Sequence, residues 1–534
     1  MTQAAQSPTK PSAGAMAPFK HQAFLVLWLA TVVSNIGTWM HDVGAGWLMT
    51  ELAPSPLMVA AVQAATTLPI FLFALIAGAV ADIVDKRKLL ITINIVMGIA
   101  AFAMTALVHF GLITPALLLL FTFLFGTGAA FMAPAWQAIV PKLVPREELT
   151  SAVALNSMGI NVSRAIGPAL AGVLIVSAGL AAPFLVNALS FIGIIAALYW
   201  WRAVPNPSSG LPAEHMGSAI LSGLRYAWNS KPLKMTLVRA AAFFVFASAF
   251  WAMLPLIARQ VLSGGPTLYG LLMASVGTGA VLGAFVLGSI KSKLGADRTC
   301  AVGTFGVATV MITLATVPNE IVAIAASALA GLSWIIVLSS LNVSAQTSLP
   351  DWVRARGLSI FLTVFFGSMS LGSLMWGQVA SIWGIPLALI AAGVGALLFV
   401  PLTFWAKLGL GTQQDLSPSM HWPEPILSEV PTDDRPVMIQ ITYRINAAQK
   451  SQFLSMMDDL AESRRRGGAY RWSLMQDAAE PNRFVETWME ASWLQHQRHH
   501  ERVTKEDQAL QERIRKTLAD HAAPEVTHHL TPKS

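Results

Sequence analysis

The chain has 534 residues, of which 54% are hydrophobic and only 12% charged, a balance that excludes an ordinary soluble enzyme and makes a lipid bilayer the expected solvent. Its net charge of +7 is unevenly spread: residues 1–407 carry 20 Lys and Arg against 10 Asp and Glu, and residues 408–534 carry 15 against 18. The basic excess of the first part sits in short loops between apolar stretches and forms no continuous patch, which argues against nucleic acid as a partner.

Residues 1–19 are rich in Ala, Ser, Pro and Thr, lack the apolar core of a cleavable signal peptide, and read as a disordered N-terminus. Twelve apolar stretches follow, each near the roughly 20 residues that cross about 30 Å of hydrocarbon. They run at about 23–48, 57–81, 89–109, 114–140, 151–178, 181–201, 236–259, 267–290, 299–317, 320–345, 357–383 and 385–406. The longest connection, 202–235, divides them into six-helix bundles at 20–201 and 236–407, and Gly126, Pro145, Gly167 and Gly172 recur 205 residues later as Gly331, Pro350, Gly372 and Gly377. That offset predicts two related halves. Alternate loops hold the Lys and Arg residues, among them Lys86, Arg87, Lys142, Arg225, Lys291 and Arg354, whereas the opposite loops hold little beyond Arg259. Cationic loops stay on the cytoplasmic side, so both termini are expected there, with the chain multi-pass in the cell inner membrane.

Ionisable groups within apolar spans cost about 2.5–3.5 kcal/mol each and so tend to face a cavity or a partner. Asp42 in span one and Arg164 in span five are the two best candidates. Asn35, Trp39, Asp42 and Gly46 share one helical face by their spacing of three and four, a face expected to look inward. Asp42 reads either as a proton-coupling site or as a structural carboxylate near the membrane boundary beside Glu51. Arg164 reads either as a substrate contact or as a pin for backbone carbonyls. Gln137, Asn161, Asn342 and Gln346 add amides that line a cavity or bond one helix to another. Cys300, the only cysteine, has no partner for a disulfide or metal site and reads as packed.

Four motifs narrow the reading. Gly78-Ala-Val-Ala-Asp82-Ile-Val-Asp85-Lys86-Arg87-Lys88 follows span two. Arg164-Ala-Ile-Gly167-Pro168-Ala-Leu-Ala-Gly172 lies in span five, where a proline permits bending and small residues permit close helix contact. Pro350-Asp-Trp-Val-Arg354-Ala-Arg356-Gly357 precedes span eleven, and Ser34-Asn-Ile-Gly37-Thr-Trp39-Met-His-Asp42 lies in span one. Together they resemble the major facilitator superfamily, in its enterobactin-exporter-like drug/proton antiporter branch of transmembrane secretion effectors, over about residues 20–406. The resemblance implies an all-α fold of twelve transmembrane helices in two pseudo-repeats. Gly78, Asp82, Lys86 and Arg87 would form its gating loop, with Gly78 letting span two approach a neighbour closely, although Ile83 and Asp85 replace the usual Arg and Gly. Gly167, Pro168 and Gly172 match its antiporter signature. By that resemblance the chain exports a small molecule, a drug, siderophore or metabolite, by alternating access in exchange for protons; on the separate evidence of their place inside the spans, Asp42, Arg164 and Asn35 are the residues expected to couple the two. A phosphate loop of the GxxxxGK[ST] type is absent from the sequence, which leaves an ion gradient as the energy source, and no cofactor is expected.

Beyond a Pro-rich linker at 408–435 the character changes. Residues 437–443 alternate as a strand, 447–466 are amphipathic, and further strands and helices follow in the order β-α-β-β-α-β, which predicts a soluble ferredoxin-like α+β domain at 436–531. Glu486-Thr-Trp488-Met-Glu490 leading to His496 and His499 resembles the antibiotic-biosynthesis-monooxygenase-like family, which implies a possible homodimer through its sheets. His496, His499 and His500 read as a metal or haem site or as a solvated helix face. A membrane-anchored sensor or enzyme acting through this domain is the alternative to an exporter.

Overall fold

In the computed structural model the described residues are 16–202, 216–408, 414–422, 435–519 and 524–531, so most of the N-terminal segment and much of the linker lie outside them. Ten helices among them are long and apolar enough to cross a membrane. Six come first: α1 (Gln22–Leu52), α2 (Pro56–Ile83), α3 (Lys86–His109), α4 (Pro115–Ile139), α5 (Leu149–Ala178) and α6 (Ala182–Trp200). An amphipathic helix α7 (Met216–Asn229) follows, then α8 (Lys231–Leu256), α9 (Pro266–Thr316), α10 (Glu320–Thr347), α11 (Arg354–Trp383) and the shorter apolar α12 (Ile385–Leu398). The 51-residue α9 is two apolar segments joined at Gly295, whose φ of 75° breaks the helix. Spans eight and nine, expected as separate helices, therefore meet at a single kinked residue.

Local chemistry sets several boundaries. Ser55 and Thr114 accept hydrogen bonds from the backbone N–H groups of Met58 and Leu117, and Pro56 and Pro115 open α2 and α4, where a missing N–H costs nothing. Asp85, which stands where the resemblance expects Gly, caps α3 by accepting from the Lys88 N–H at 2.8 Å.

The chain divides into two compact units. The first comprises Met1–Gly210, Ala240–Ser339 and Leu362–Pro401, and so contains most of the apolar helices of both halves. Its packing repeats at the glycines spaced by 205. A Cβ on Gly126 of α4 would stand 2.6 Å from the Thr66 carbonyl oxygen of α2, and one on Gly331 of α10 would overlap the Val276 carbonyl of α9. Gly167 of α5 abuts Ile36 and Trp39 of α1, as Gly372 of α11 abuts Val245 and Ser248 of α8. Gly172 of α5 meets Pro266 and Thr267 at the start of α9, as Gly377 of α11 meets Pro56 and Leu57 at the start of α2. Three pairs thus make corresponding contacts, and in each the absent side chain is what lets two helices close. The last pair joins one half to the other. Along α2 and α11 that junction continues with the Leu57 N–H donating to Ser381 Oγ at 3.1 Å.

The second unit comprises Leu211–Arg239, Ser340–Phe361 and Leu402–Ser534. Its sheet is antiparallel, with strands β1 (Val437–Arg444), β2 (Tyr470–Gln476), β3 (Arg483–Glu490) and β4 (Glu525–Leu530) in the order β2-β3-β1-β4. The helices are α13 (Lys450–Gly467), α14 (Trp493–Arg502) and α15 (Lys505–Arg515). Val437, Ile439, Ile441 and Tyr443 alternate into a core with Phe453, Met457, Phe484 and Trp488, as a strand buried on one face requires. α13 packs on α7, and the Tyr226 hydroxyl of α7 donates to the Ser348 carbonyl at 3.1 Å. Arg356 donates to Ser222 Oγ at 3.0 Å, and the Arg502 guanidinium lies 4.3 Å over the Trp352 ring. The tail is therefore seated on α7 and on the connection from α10 to α11.

Candidate functional site

Within the first unit, polar groups gather around α1. Arg164 of α5 places its guanidinium 5.2 Å from the centre of the Trp39 ring, a cation–π contact on the face that also carries Asn35 and Asp42. Its Nε is buried and has no hydrogen-bond partner among the described residues. The position is built by the span-five motif: Gly167 brings the α5 backbone against Trp39, and the Pro168 carbonyl faces Gly270 of α9. Proline at 168 also withdraws the N–H that would bond the Arg164 carbonyl, and that oxygen lies against Gly277 of α9. α5 nevertheless runs unbroken through Pro168 from Leu149 to Ala178.

Asp42 has no hydrogen-bond or ion-pair partner among the described residues, and its charge lies within electrostatic reach of Tyr269 on α9. Gly46, one turn further along α1, makes room for the Tyr269 hydroxyl, which would stand 2.9 Å from a Cβ there. Above it, Trp47 stacks on Tyr269 with ring centres 6.3 Å apart and donates to Glu51 at 2.8 Å. Arg259, on the π-turn Ile257–Val261 that extends α8, donates to Thr50 Oγ1 at 2.8 Å and lies 5.7 Å from the Trp47 ring centre. What the sequence presents as a stray cation in an otherwise neutral loop is thus a tie between the two halves. Sequence reading also passed over His41, which is buried between Phe125 and Phe184 with both ring nitrogens unpartnered among the described residues. The available signal was an imidazole inside an apolar span.

The remaining expected residues divide. Asn161 donates to the Ser157 carbonyl and Gln346 to Asn342 Oδ1, each at 2.9 Å and each within its own helix, so these amides do not bond helix to helix. Gln137 is exposed on α4. Among the described residues nothing stands within 4 Å of where a Cβ on Gly78 would be, so none of them makes the close approach expected of that glycine. The Asp82 side chain lies outside the described residues. Lys86 opens α3, and Arg87 donates from Nε and Nη2 to the carbonyls of Leu198 and Tyr199, each at 2.8 Å, which ties off the last turn of α6.

In the tail the histidines do not form a solvated helix face, because β3 places a carboxylate beneath them. Phe484, Glu486, Trp488 and Glu490 alternate inward along β3. Glu490 is fully buried and accepts from Trp488 Nε1 at 2.9 Å, while His496 Nδ1 and His499 Nδ1 approach it at 3.0 and 2.6 Å. Burial alone would raise its pKa, but the neighbouring His499 and His496 hold it below the usual carboxylate range. His500 and His528 are lowered to about 3 and about 4, first by burial and then by the imidazoles around them. His499, expected to join His496 and His500, turns instead to Glu490 and to Trp422 at 5.2 Å, and His528 of β4 takes its place. A second buried carboxylate, Glu486, accepts from Tyr443, Arg464 and Trp472 at 2.6, 3.2 and 2.9 Å.

Comparison with known proteins agrees with this architecture. The staphyloferrin A transporter of Staphylococcus aureus is 25% identical over 372 residues, covering 68% of this chain and 90% of its own. The multidrug efflux pump Tap of Mycobacterium tuberculosis is 24% identical, covering 74% and 96%, and the enterobactin exporter EntS of Escherichia coli is 24% identical, covering 71% and 90%. A solved bacterial homologue of the human lysosomal transporter Spinster shares the fold with a TM-score of 0.58 at 14% identity, over 73% of this chain and 97% of that one. The model of the transmembrane secretion effector family matches residues 13–534, from the N-terminal segment through the tail. The chain, a multi-pass membrane protein, belongs to that family of major facilitator transporters and is not an enzyme.

Proposed function

We propose that the chain is a proton-coupled exporter that carries a small molecule across the cytoplasmic membrane by alternating access. Its ten long apolar helices, counted with the second limb of α9 and with α12, are read as twelve spans, and the loop cations favour both termini in the cytoplasm. The observation that carries this reading is a pair of ionisable groups, Asp42 on α1 and Arg164 of α5 packed over Trp39 on that same α1 face, neither held in an ion pair among the described residues and both at the junction with α9. A carboxylate with a fixed partner has little reason to exchange its proton, whereas one without a partner does so as its surroundings change. Protonation at Asp42 then couples to substrate release, and Arg164 with Trp39 and Asn35 lines the route. Export is favoured over uptake by the relatives named as efflux pump and exporter, and siderophores and drugs are the substrate classes that the relatives suggest.

The ties at the α1–α2 end, Arg259 to Thr50 and Leu57 to Ser381, close what the loop charges identify as the outer end, so the conformation is read as inward-facing. The ferredoxin-like strand order of the tail, and its seat on α7 and the α10–α11 connection, suit an accessory domain that restrains the cytoplasmic ends of these helices. Its likeness to the antibiotic-biosynthesis-monooxygenase-like fold makes pairing with a second copy a further expectation.

Drug and siderophore accumulation in a pump-deficient bacterial host tests the reading. Expression of the chain should lower accumulation, and Asp42→Asn and Arg164→Ala should each abolish that effect at equal membrane abundance. Undiminished efflux in both variants would overturn it.

A further inference from the structure

We propose that His496, His500 and His528 form a binding site in the tail for a divalent transition-metal cation of the zinc, cobalt, nickel or copper class. His496 and His500 stand one turn apart on α14, so their rings project from the same side of the helix. His528 reaches them from β4. Its register partner Ile439 also faces the fully buried Trp488 on β3, which puts His528 on the helix-covered side of the sheet. One ligand nitrogen from each of the three imidazoles lies within 4.8 Å of the others.

Three further features separate this cluster from an ordinary surface group. The first is spacing. The Nε2 atoms of His496 and His500 are 3.2 Å apart. Two nitrogens at the usual 2.0–2.1 Å from a tetrahedral zinc ion stand about 3.3–3.4 Å apart, so the pair needs almost no movement to share a metal. The second is orientation. His496 Nδ1 lies 3.0 Å from the buried Glu490 carboxylate, which can only accept, so the Nδ1 proton is fixed there and the Nε2 lone pair is left to face His500. A carboxylate behind a histidine is the support that metal-bound imidazoles characteristically have, and Glu490 is itself held by Trp488 and His499. The third is access. His496 is buried, but His500 and His528 are half-exposed, which leaves a path for the ion and a fourth position for water or an anionic ligand.

The donor set selects the metal class. Three imidazoles suit zinc, cobalt, nickel and copper(II), whereas magnesium and calcium require oxygen ligands and copper(I) favours thiolates. The competing reading is a simple hydrogen bond between two neutral imidazoles, with His500 donating to His496. The two differ in a measurable way, and the site is independent of whether the membrane helices transport anything.

Calorimetric titration of the tag-free full chain in detergent with Zn2+, after chelator treatment, tests the site. The expected result is one Zn2+ per chain, with the intense visible bands of tetrahedral Co2+ when cobalt replaces zinc. His528→Gln, on the half-exposed edge of the sheet, and His500→Ala should each weaken binding by about tenfold or more. Glu490→Gln should weaken it by about 10–100-fold through the loss of orientation at His496. Should Glu490→Gln fail to fold, the two histidine variants decide. Absence of stoichiometric Zn2+ binding by the wild-type chain, or binding unchanged by both histidine substitutions, would establish the hydrogen-bonded pair and overturn the metal site.

Discussion

In α1 and α5, Asp42 has no hydrogen-bond or ion-pair partner and Arg164 Nε is buried without one among the described residues, whereas Glu486 and Glu490 of β3 each meet three donors. Both regions hide charge, yet only the tail satisfies it locally. A buried carboxylate in the tail has water-like solvation rebuilt around it, which fixes one geometry for Tyr443, Arg464 and Trp472. A polar group in the membrane region left without such a cage retains the freedom to change partner or proton as the helices move. Charge that is fully caged is thus a structural device, and the uncaged Asp42 and Arg164 are the residues that the proposed function puts to work. Helix contact in the membrane region rests on glycine instead, as in the paired closures at Gly126 and Gly331.

The contrast can be broken by substitution. Glu486→Gln leaves the Arg464 guanidinium without its carboxylate between the rings of Trp422 and Trp488, 5.0 and 4.3 Å away, and should cost about 3–5 kcal/mol of tail stability in denaturant titrations followed by tryptophan fluorescence. Gly331→Ala drives a Cβ into the Val276 carbonyl and should cost about 1–3 kcal/mol, read as a lower melting temperature in detergent. A smaller effect is expected from acid. Burial opposes the Asp507 charge, but Arg466 at 3.0 Å and the Ser463 and Thr504 hydroxyls outweigh it and hold its pKa below the usual carboxylate range. Its folded-state pKa is depressed, so the stabilisation is present above the unfolded value near pH 4 and is lost as pH falls through the folded one. Melting of the wild-type tail should therefore drop on acidification below about pH 4, and Asp507→Asn should flatten that slope. Gly78→Ala should change stability by less than about 0.5 kcal/mol, since no atom of the described residues lies where the methyl group would go.

Much of this was legible in the sequence. Apolar length gave the spans, and the offset of 205 found glycines that make corresponding contacts, because close helix approach leaves a compositional mark that duplication preserves. The alternation over Val437–Arg444 gave β1, and the Gly-Pro of span five proved to seat α5 against both α1 and α9. What the sequence concealed depends on long-range geometry. Arg259 and Thr50 are separated by 209 positions, so no local pattern announces their bond. His528 reaches α14 only through strand register, so no local pattern adds it to the run of His496, His499 and His500. Gly78 has no close neighbour among the described residues, which its motif alone does not reveal, and Gln346 found Asn342 on its own helix because an amide four residues away is nearer than any helix across.

The assignment of Asp42 as the coupling carboxylate is tested most directly by proton flux in proteoliposomes under an imposed substrate gradient. The wild-type chain should move protons against the substrate, and Asp42→Asn should abolish that flux while the protein remains folded and reconstituted. Coupled flux of wild-type size in the Asp42→Asn protein would contradict it.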